Sequence, residues 1–188
     1  MVKEMKPSRE RDIFEVLMKV HGINWSSEQE FLERLNQMLN KKQVLELGCY
    51  TGELHPHFQK YGAEIEGIDN DIDAVREANS LGRTVHLGDI DDPDGAIGMI
   101  RGRLADNPGI YDLIFSHDLF TPSAIVLPKT IRNSVEVPTG YLKSGGYLVH
   151  MVTLSKGLHD YNGPAGKLLE KLGRIQAPNK LAIAWRKR

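Results

Sequence analysis

Apolar residues recur along the chain with two different periods, and the switch between them predicts most of the elements. Ile13, Val16, Leu17 and Val20 fall at helical spacing and predict a helix over 8–21, opened by Pro7-Ser8 and stopped by Gly22. A second helix is predicted over 27–40. Phe31, Leu32, Leu35, Met38 and Leu39 form its buried face, and Ser27 and Glu30 have capping-box spacing. Short apolar runs then alternate with helical stretches. QVLEL, EIEGI, RTVHL, YDLIFS and GYLVHMV read as strands. Residues 52–61, 71–80, 94–106 and 164–172 read as helices, and 121–143, broken by Pro122, Pro128 and Pro138, as irregular to helical. RIQAP and LAIAW, joined at Asn179-Lys180, are too close for a helical crossover and read as an antiparallel edge hairpin.

Such alternation predicts an α/β fold, a doubly wound and mostly parallel seven-stranded sheet closed by the C-terminal hairpin. The division expected is a helical cap over 1–41 and one sheet-bearing unit over 42–188. Open sheets of this kind bind ligands beyond the carboxyl ends of their strands. The loops after Leu47, Ile68, Leu87 and Ser116 are therefore where chemistry is expected.

Composition narrows this little. The 188 residues suffice for one domain with a sizeable core, and 40 % hydrophobic with 26 % charged content is ordinary for a globular chain. A net charge of −1 excludes a global field that would recruit nucleic acid or an anionic membrane. The basic stretch Trp185-Arg186-Lys187-Arg188 reads as a solvated tail. A lone cysteine, Cys49, excludes an intramolecular disulfide and fits a reducing cytoplasm, which is the expected location. No run approaches the roughly 18 apolar residues of a membrane span. The start, MVKEMKPSRERD, lacks the apolar core of a signal peptide.

The strand ends carry the chemistry. In VLELGCYTGEL, Gly48 can bring the main chain close to a ligand, and Gly52 lets the next helix pack tightly. Twenty-three residues after Glu46, Asp69 ends the second strand, where a carboxylate can accept bonds from two ribose hydroxyls. Asp71 supplies the cap for the following helix. Asp89, in VHLGDI, can accept a bond from an adenine amino group.

With these residues in this order, the sequence resembles the class I S-adenosylmethionine-dependent methyltransferases. VLELGCYTGEL matches the family's first motif, IEGIDNDIDAV the second, VHLGDI the third, YDLIFSHDLF the fourth, and YLKSGGYLVHMV the entry to the fifth strand. The resemblance covers about residues 43–155, with the edge hairpin extending it to 186, and is specific for fold and cofactor, much less so for substrate. It implies S-adenosyl-L-methionine as cofactor, with Glu46 as the acidic residue of the first motif, Gly48 and Gly52 as its glycines, and Cys49 and Tyr50 in the same cofactor loop. It further implies Asp69 as the ribose-binding acid with Asn70 beside the adenine, and Asp89 with Ile90 as the adenine-edge pair. Ser116 and His117 match the loop beside the methyl group. Tyr50 departs from the pattern, standing where the fuller motif has a glycine. From their place in the chain, the helices over 8–21 and 27–40 are expected to lie over the cofactor end, with His21 and Trp25 in the hinge between them.

Dinucleotide-binding folds compete for the same pattern. Their G-x-G-x-x-G needs a small second residue so that pyrophosphate can reach a helix N-terminus, and here Tyr50 and Glu53 occupy the second and third glycine positions. Carboxylates at 46 and 53 repel phosphate and tolerate a sulfonium and an ammonium. An NAD-dependent oxidoreductase is thus the least favoured reading. A catalytically silent cofactor-binding or partner subunit is the main alternative to an enzyme.

Methyl transfer needs a general base only when the acceptor carries a proton. His117, followed by Asp118, is the candidate. His150 reads as packing within the fifth strand, while His159-Asp160-Tyr161 could reach an acceptor. His55 and His57, with no third ligand in view, make a poor metal site, and no metal is expected. The family's boxes for base amines of DNA, catechol-type substrates and protein arginine are all absent. The expected acceptor is an O or N atom of a small molecule; a protein or RNA acceptor stays open.

Overall fold

A computed structural model describes residues 9–89, 92, 97, 109–118, 138–153, 174–177 and 180–188. Two helices, α1 (Arg9–Val20) and α2 (Glu28–Leu39), precede β1 (Gln43–Leu47), α3 (His55–Lys60), β2 (Glu64–Asp69), α4 (Ile72–Ser80) and β3 (Val85–Leu87). Then come β4 (Tyr111–His117), β5 (Leu142–Thr153), β6 (Arg174–Ala177) and β7 (Lys180–Arg186). The strands form one sheet in the order β3-β2-β1-β4-β5-β7-β6. β3, β2, β1, β4 and β5 run parallel, while β7 pairs antiparallel with both β5 and β6. The chain order reverses between β1 and β4, which puts the switch point at the ends of those two strands. Apart from Ile97, the helix expected over 94–106 lies outside the described residues, as do the helix expected over 164–172, residues 121–137 of the segment read as irregular to helical and the hairpin turn at 178–179.

Strand alternation divides the core. Val44, Leu113, Phe115, Val149 and Met151 face α1, α2 and α3. On the other face Leu45, Leu47, Ile68, Ile114 and Leu148 pack with Ile97, Tyr111, Tyr141 and Leu142. The first face is tied together by rings. Phe58 of α3 stacks on Phe115 of β4 at 5.0 Å between centroids and tilts against Phe14 of α1 at 5.1 Å.

The capping box of α2 forms with a one-residue offset. Ser27 Oγ accepts the Glu30 N–H at 3.2 Å, as the spacing predicts. The Glu30 carboxylate returns to Ser26 instead, accepting its N–H and its hydroxyl, each at 2.7 Å. The Ser26 hydroxyl and N–H, with Arg34 behind them, hold the Glu30 carboxyl down at about 2.

Three boundaries differ from the pattern-based expectation. α3 starts at His55, because 51–54 form the turn that closes the β1 loop. β4 continues one residue beyond the expected YDLIFS, through His117, and Ser116 and His117 pair with His150 and Met151 of β5. β5 begins at Leu142, opposite Tyr111, and a register shift lets Tyr147 pair with Leu113. α1 and α2 pack on the face of the sheet. At their hinge, His21 lies 4.1 Å from the Tyr147 ring and Trp25 sits edge-on to Phe31 at 5.2 Å, both packing residues. Burial holds His21 below the ordinary imidazole value.

Candidate cofactor site

The loop leaving β1 turns through three left-handed residues, Gly48 (φ 67°), Tyr50 (φ 50°) and Gly52 (φ 65°). Tyr50 therefore keeps the backbone conformation of the glycine it replaces, at the steric cost that such a φ imposes on a side chain. The residue is 58 % exposed. The loop is pinned to β2. The N–H groups of Gly48 and Cys49 both donate to the Ile68 carbonyl, at 2.8 and 3.2 Å. Asp69 Oδ2 accepts the Tyr50 N–H at 2.6 Å, and Oδ1 accepts the Asp71 N–H at 2.9 Å. Asp69 thus clamps two loops, and a carboxylate has lone pairs left for two hydroxyls. Asp71 caps α4, its carboxylate accepting from the N–H groups of Asp73 and Ala74.

Beneath the loop the packing is tight. A Cβ at Gly67 of β2 would collide with Cys49 Sγ and come within 3.1 Å of the His55 ring, so only glycine fits between them. Burial, then the charges of Glu46 and Asp69, push the Cys49 thiol far above its usual range. The thiol therefore stays protonated. Glu46, on β1, is buried, with its Oε2 3.4 Å from His55 Nε2.

Above these residues a cavity of about 260 Å³ opens between the β1 loop and the end of β4. Glu46, Gly48, Cys49, Tyr50, Glu53, Leu54 and His117 line it. His117 and Ser116 are neighbours on β4 and so point to opposite faces. His117 turns toward the cavity, its Nε2 3.3 Å from Asp118 Oδ2. Asp118 holds a left-handed φ of 57°, and its N–H donates to the Met151 carbonyl. Ser116 turns away, with Oγ 2.7 Å from His150 Nδ1 in a buried pair. His150 packs beside the sheet, as expected.

Of the residues the sequence singles out, Glu46, Gly48, Cys49, Tyr50 and His117 thus meet in one cavity. Gly52 and Asp69 shape the loop from behind. Asn70 and Asp89 are exposed at the ends of β2 and β3, and Ile90 lies outside the described residues, as do His159, Asp160 and Tyr161. Leu54, a cavity residue, and His55, beneath it, were not read as part of the site. A tight turn followed at once by a helix start is the signal that would have placed them there. Among the described lining residues two are carboxylates and none is Lys or Arg. That donor set fits a cationic ligand and opposes a pyrophosphate.

A model of the methyltransferase domain matches residues 25–185. The chain accordingly belongs to that family, the class I S-adenosylmethionine-dependent methyltransferases, whose methyl donor is S-adenosylmethionine. No curated protein matches the sequence. Among solved structures, the chain resembles the T. thermophilus 16S rRNA N2 G1207 methyltransferase, crystallised with AdoMet and guanosine: TM-score 0.58, 16 % identity, 100 % of this chain and 44 % of that one. It also resembles a TehB-like SAM-dependent methyltransferase from Corynebacterium glutamicum, with TM-score 0.54, 15 % identity and coverage of 97 % of this chain and 100 % of that one. At these identities the likeness is one of fold. The S-adenosylmethionine-dependent methyltransferase of Mesorhizobium loti aligns over 65 % of this chain, with TM-score 0.47 and 18 % identity; the chain spans 53 % of its length. Among the described residues no helix is long and apolar enough to cross a membrane.

Proposed function

We propose that this chain binds S-adenosylmethionine at the β1–β4 cavity and transfers its methyl group to an O or N atom of a small molecule, with His117 as general base. The observation that carries the proposal is His117 itself, a buried imidazole on the cavity wall with the Asp118 carboxylate 3.3 Å from its Nε2. When bound, the cofactor supplies a methyl group on an electron-poor sulfonium. Glu46 and Glu53 offer that cation negative charge, Asp69 and Asp89 offer acceptors to ribose and adenine, and Asn70 and Ile90 flank the base. Ser116, held by His150, fixes the end of β4 that carries His117. His117 takes the proton the acceptor loses as the new bond forms, and Asp118 stabilises the resulting imidazolium. In this reading 1–41 is a helical cap on a single unit over 42–188.

The test is transfer of radiolabelled methyl from S-adenosylmethionine into fractionated small-molecule, protein and RNA pools. Label in small molecules, with His117→Asn lowering kcat about 10²–10⁴-fold at little change in cofactor affinity, is the expected result. Label in protein or RNA reassigns the acceptor. Cofactor binding with no label in any pool favours the silent partner-subunit reading.

A further inference from the structure

His55 is fully buried on the first turn of α3, and neither of its ring nitrogens makes a hydrogen bond among the described residues. Buried polar atoms are nearly always satisfied, so an exception at a ligand site calls for a cause. The ring is not there to fill space that a simpler side chain would leave. Room for it has been made: Gly52 and Gly67 both lie so close that a Cβ on either would come within 3.1 Å of the imidazole. Gly52 adopts a φ of 65° at that point, and Gly67 leaves the passage between Cys49 and the ring clear. The polar edge of the ring is aimed at one group. His55 Nε2 stands 3.4 Å from Glu46 Oε2, at a distance that a small rotation of either side chain turns into a hydrogen bond.

Glu46 lines the cavity from above the pair, and its carboxylate is buried. A glutamate in that position can present its charge to a ligand only if it is kept from swinging back into the sheet. The buried His55 imidazole stands 3.4 Å from Glu46 Oε2, and neither of its ring nitrogens has a hydrogen-bond partner among the described residues.

We propose that His55 is a positioning residue of the cofactor site: in its Nε2–H form it donates to Glu46 and holds that carboxylate facing the cavity as an anion for the cationic cofactor. The inference rests on reading Glu46 as a cofactor-contacting residue, and it assigns to His55 a role that acts only through Glu46.

The experiment is calorimetric titration of S-adenosylmethionine into the full chain and into His55→Gln, His55→Phe and Glu46→Gln. His55→Phe, which fills the space without a donor, is expected to weaken binding about tenfold. His55→Gln, which keeps an N–H donor, is expected to stay within about threefold of the unsubstituted chain. Glu46→Gln is expected to lose tenfold or more. Equal losses in Phe and Gln, or none in either, overturn the positioning role while leaving Glu46 in place. An unchanged Glu46→Gln overturns the underlying reading of the site and the inference with it. Should His55→Phe not fold, the imidazole ¹⁵N signals of the histidine-labelled chain with cofactor added decide the matter, His55 being assigned by its loss in His55→Gln. An Nε2–H tautomer is expected, and an Nδ1–H tautomer contradicts the proposal.

Discussion

At the amino end of the parallel strands, Asp112 accepts from Lys143 at 2.7 Å, from the Gln43 N–H at 3.0 Å and from Lys42 at 3.2 Å. Lys187 closes the same end on the carbonyls of Gly140 and Leu142. At the carboxyl end, Glu46 and Glu53 line a cavity that has no Lys or Arg among its described lining residues, Asp69 holds the loop behind it, and Tyr50 and Asp118 hold left-handed backbone. Left-handed backbone occurs at both ends, since Lys41 (φ 59°) precedes β1 at the amino end, so what separates them is the charge gathered there: lysines on a carboxylate at one end, carboxylates with no Lys or Arg among the described lining residues at the other.

The largest effect should come from the core that both ends share. Phe58→Ala removes the ring between Phe14 and Phe115 and is expected to cost about 3–5 kcal/mol in urea unfolding. A loss below about 1 kcal/mol would mean that the ring chain does not link the helices to the sheet.

Next is Gly67→Ala at the carboxyl end, where the added methyl meets Cys49 Sγ and the His55 ring. Overpacking of this kind costs about 1–3 kcal/mol. In a double-mutant cycle, Cys49→Ala should return part of that loss, because the clash is with its sulfur. Strict additivity would show that the loop moves aside.

At the amino end, Asp112→Asn should cost about 1 kcal/mol near neutral pH, since the group is part-exposed and its ion pairs are partly screened. Burial alone would raise the Asp112 carboxyl, but the bonds from Lys143, Gln43 N–H and Lys42 outweigh it and hold it below the ordinary value. A depressed folded value stabilises the chain above the unfolded carboxyl's value of about 3.9 and is lost as pH falls through the folded one. The stability curve of Asp112→Asn should therefore be flatter below pH ~4 than that of the parent chain, in urea melts taken across pH 2.5–7.

Smallest is Tyr50→Gly. Relief of left-handed strain, about 1–2 kcal/mol, is offset by about 0.5–1 kcal/mol of added unfolded-state entropy. A net gain near 0.5 kcal/mol in thermal unfolding is expected.

Periodicity made the order of the elements legible, because the inner parallel strands carry buried residues on both faces of the sheet, in contrast to the described helices, which alternate with them. The first-motif glycines and Asp69 were legible too, since turn geometry and strand ends are local. What the sequence hid was the direction of side chains. Ser116 and His117 look equivalent in YDLIFSHDLF, yet β4 extends through both and pleating sends them to opposite faces. The β1 loop shows the same limit: Tyr50 reads as a misfit, although its backbone conforms and its ring points outward. His55 was invisible as part of the site because its relation to Glu46 runs through space from α3 to β1. The hinge residues His21 and Trp25 pack against Tyr147 and Phe31, contacts between elements that the pattern does not show.

The central claim is that the acidic cavity at the carboxyl end selects a cationic nucleoside cofactor. It is tested most directly by titrating S-adenosylmethionine and NAD separately into the full chain by calorimetry at one ionic strength. Sub-millimolar binding of S-adenosylmethionine with no heat from NAD is the predicted result. NAD binding at comparable affinity, or no S-adenosylmethionine binding at millimolar ligand, would contradict it.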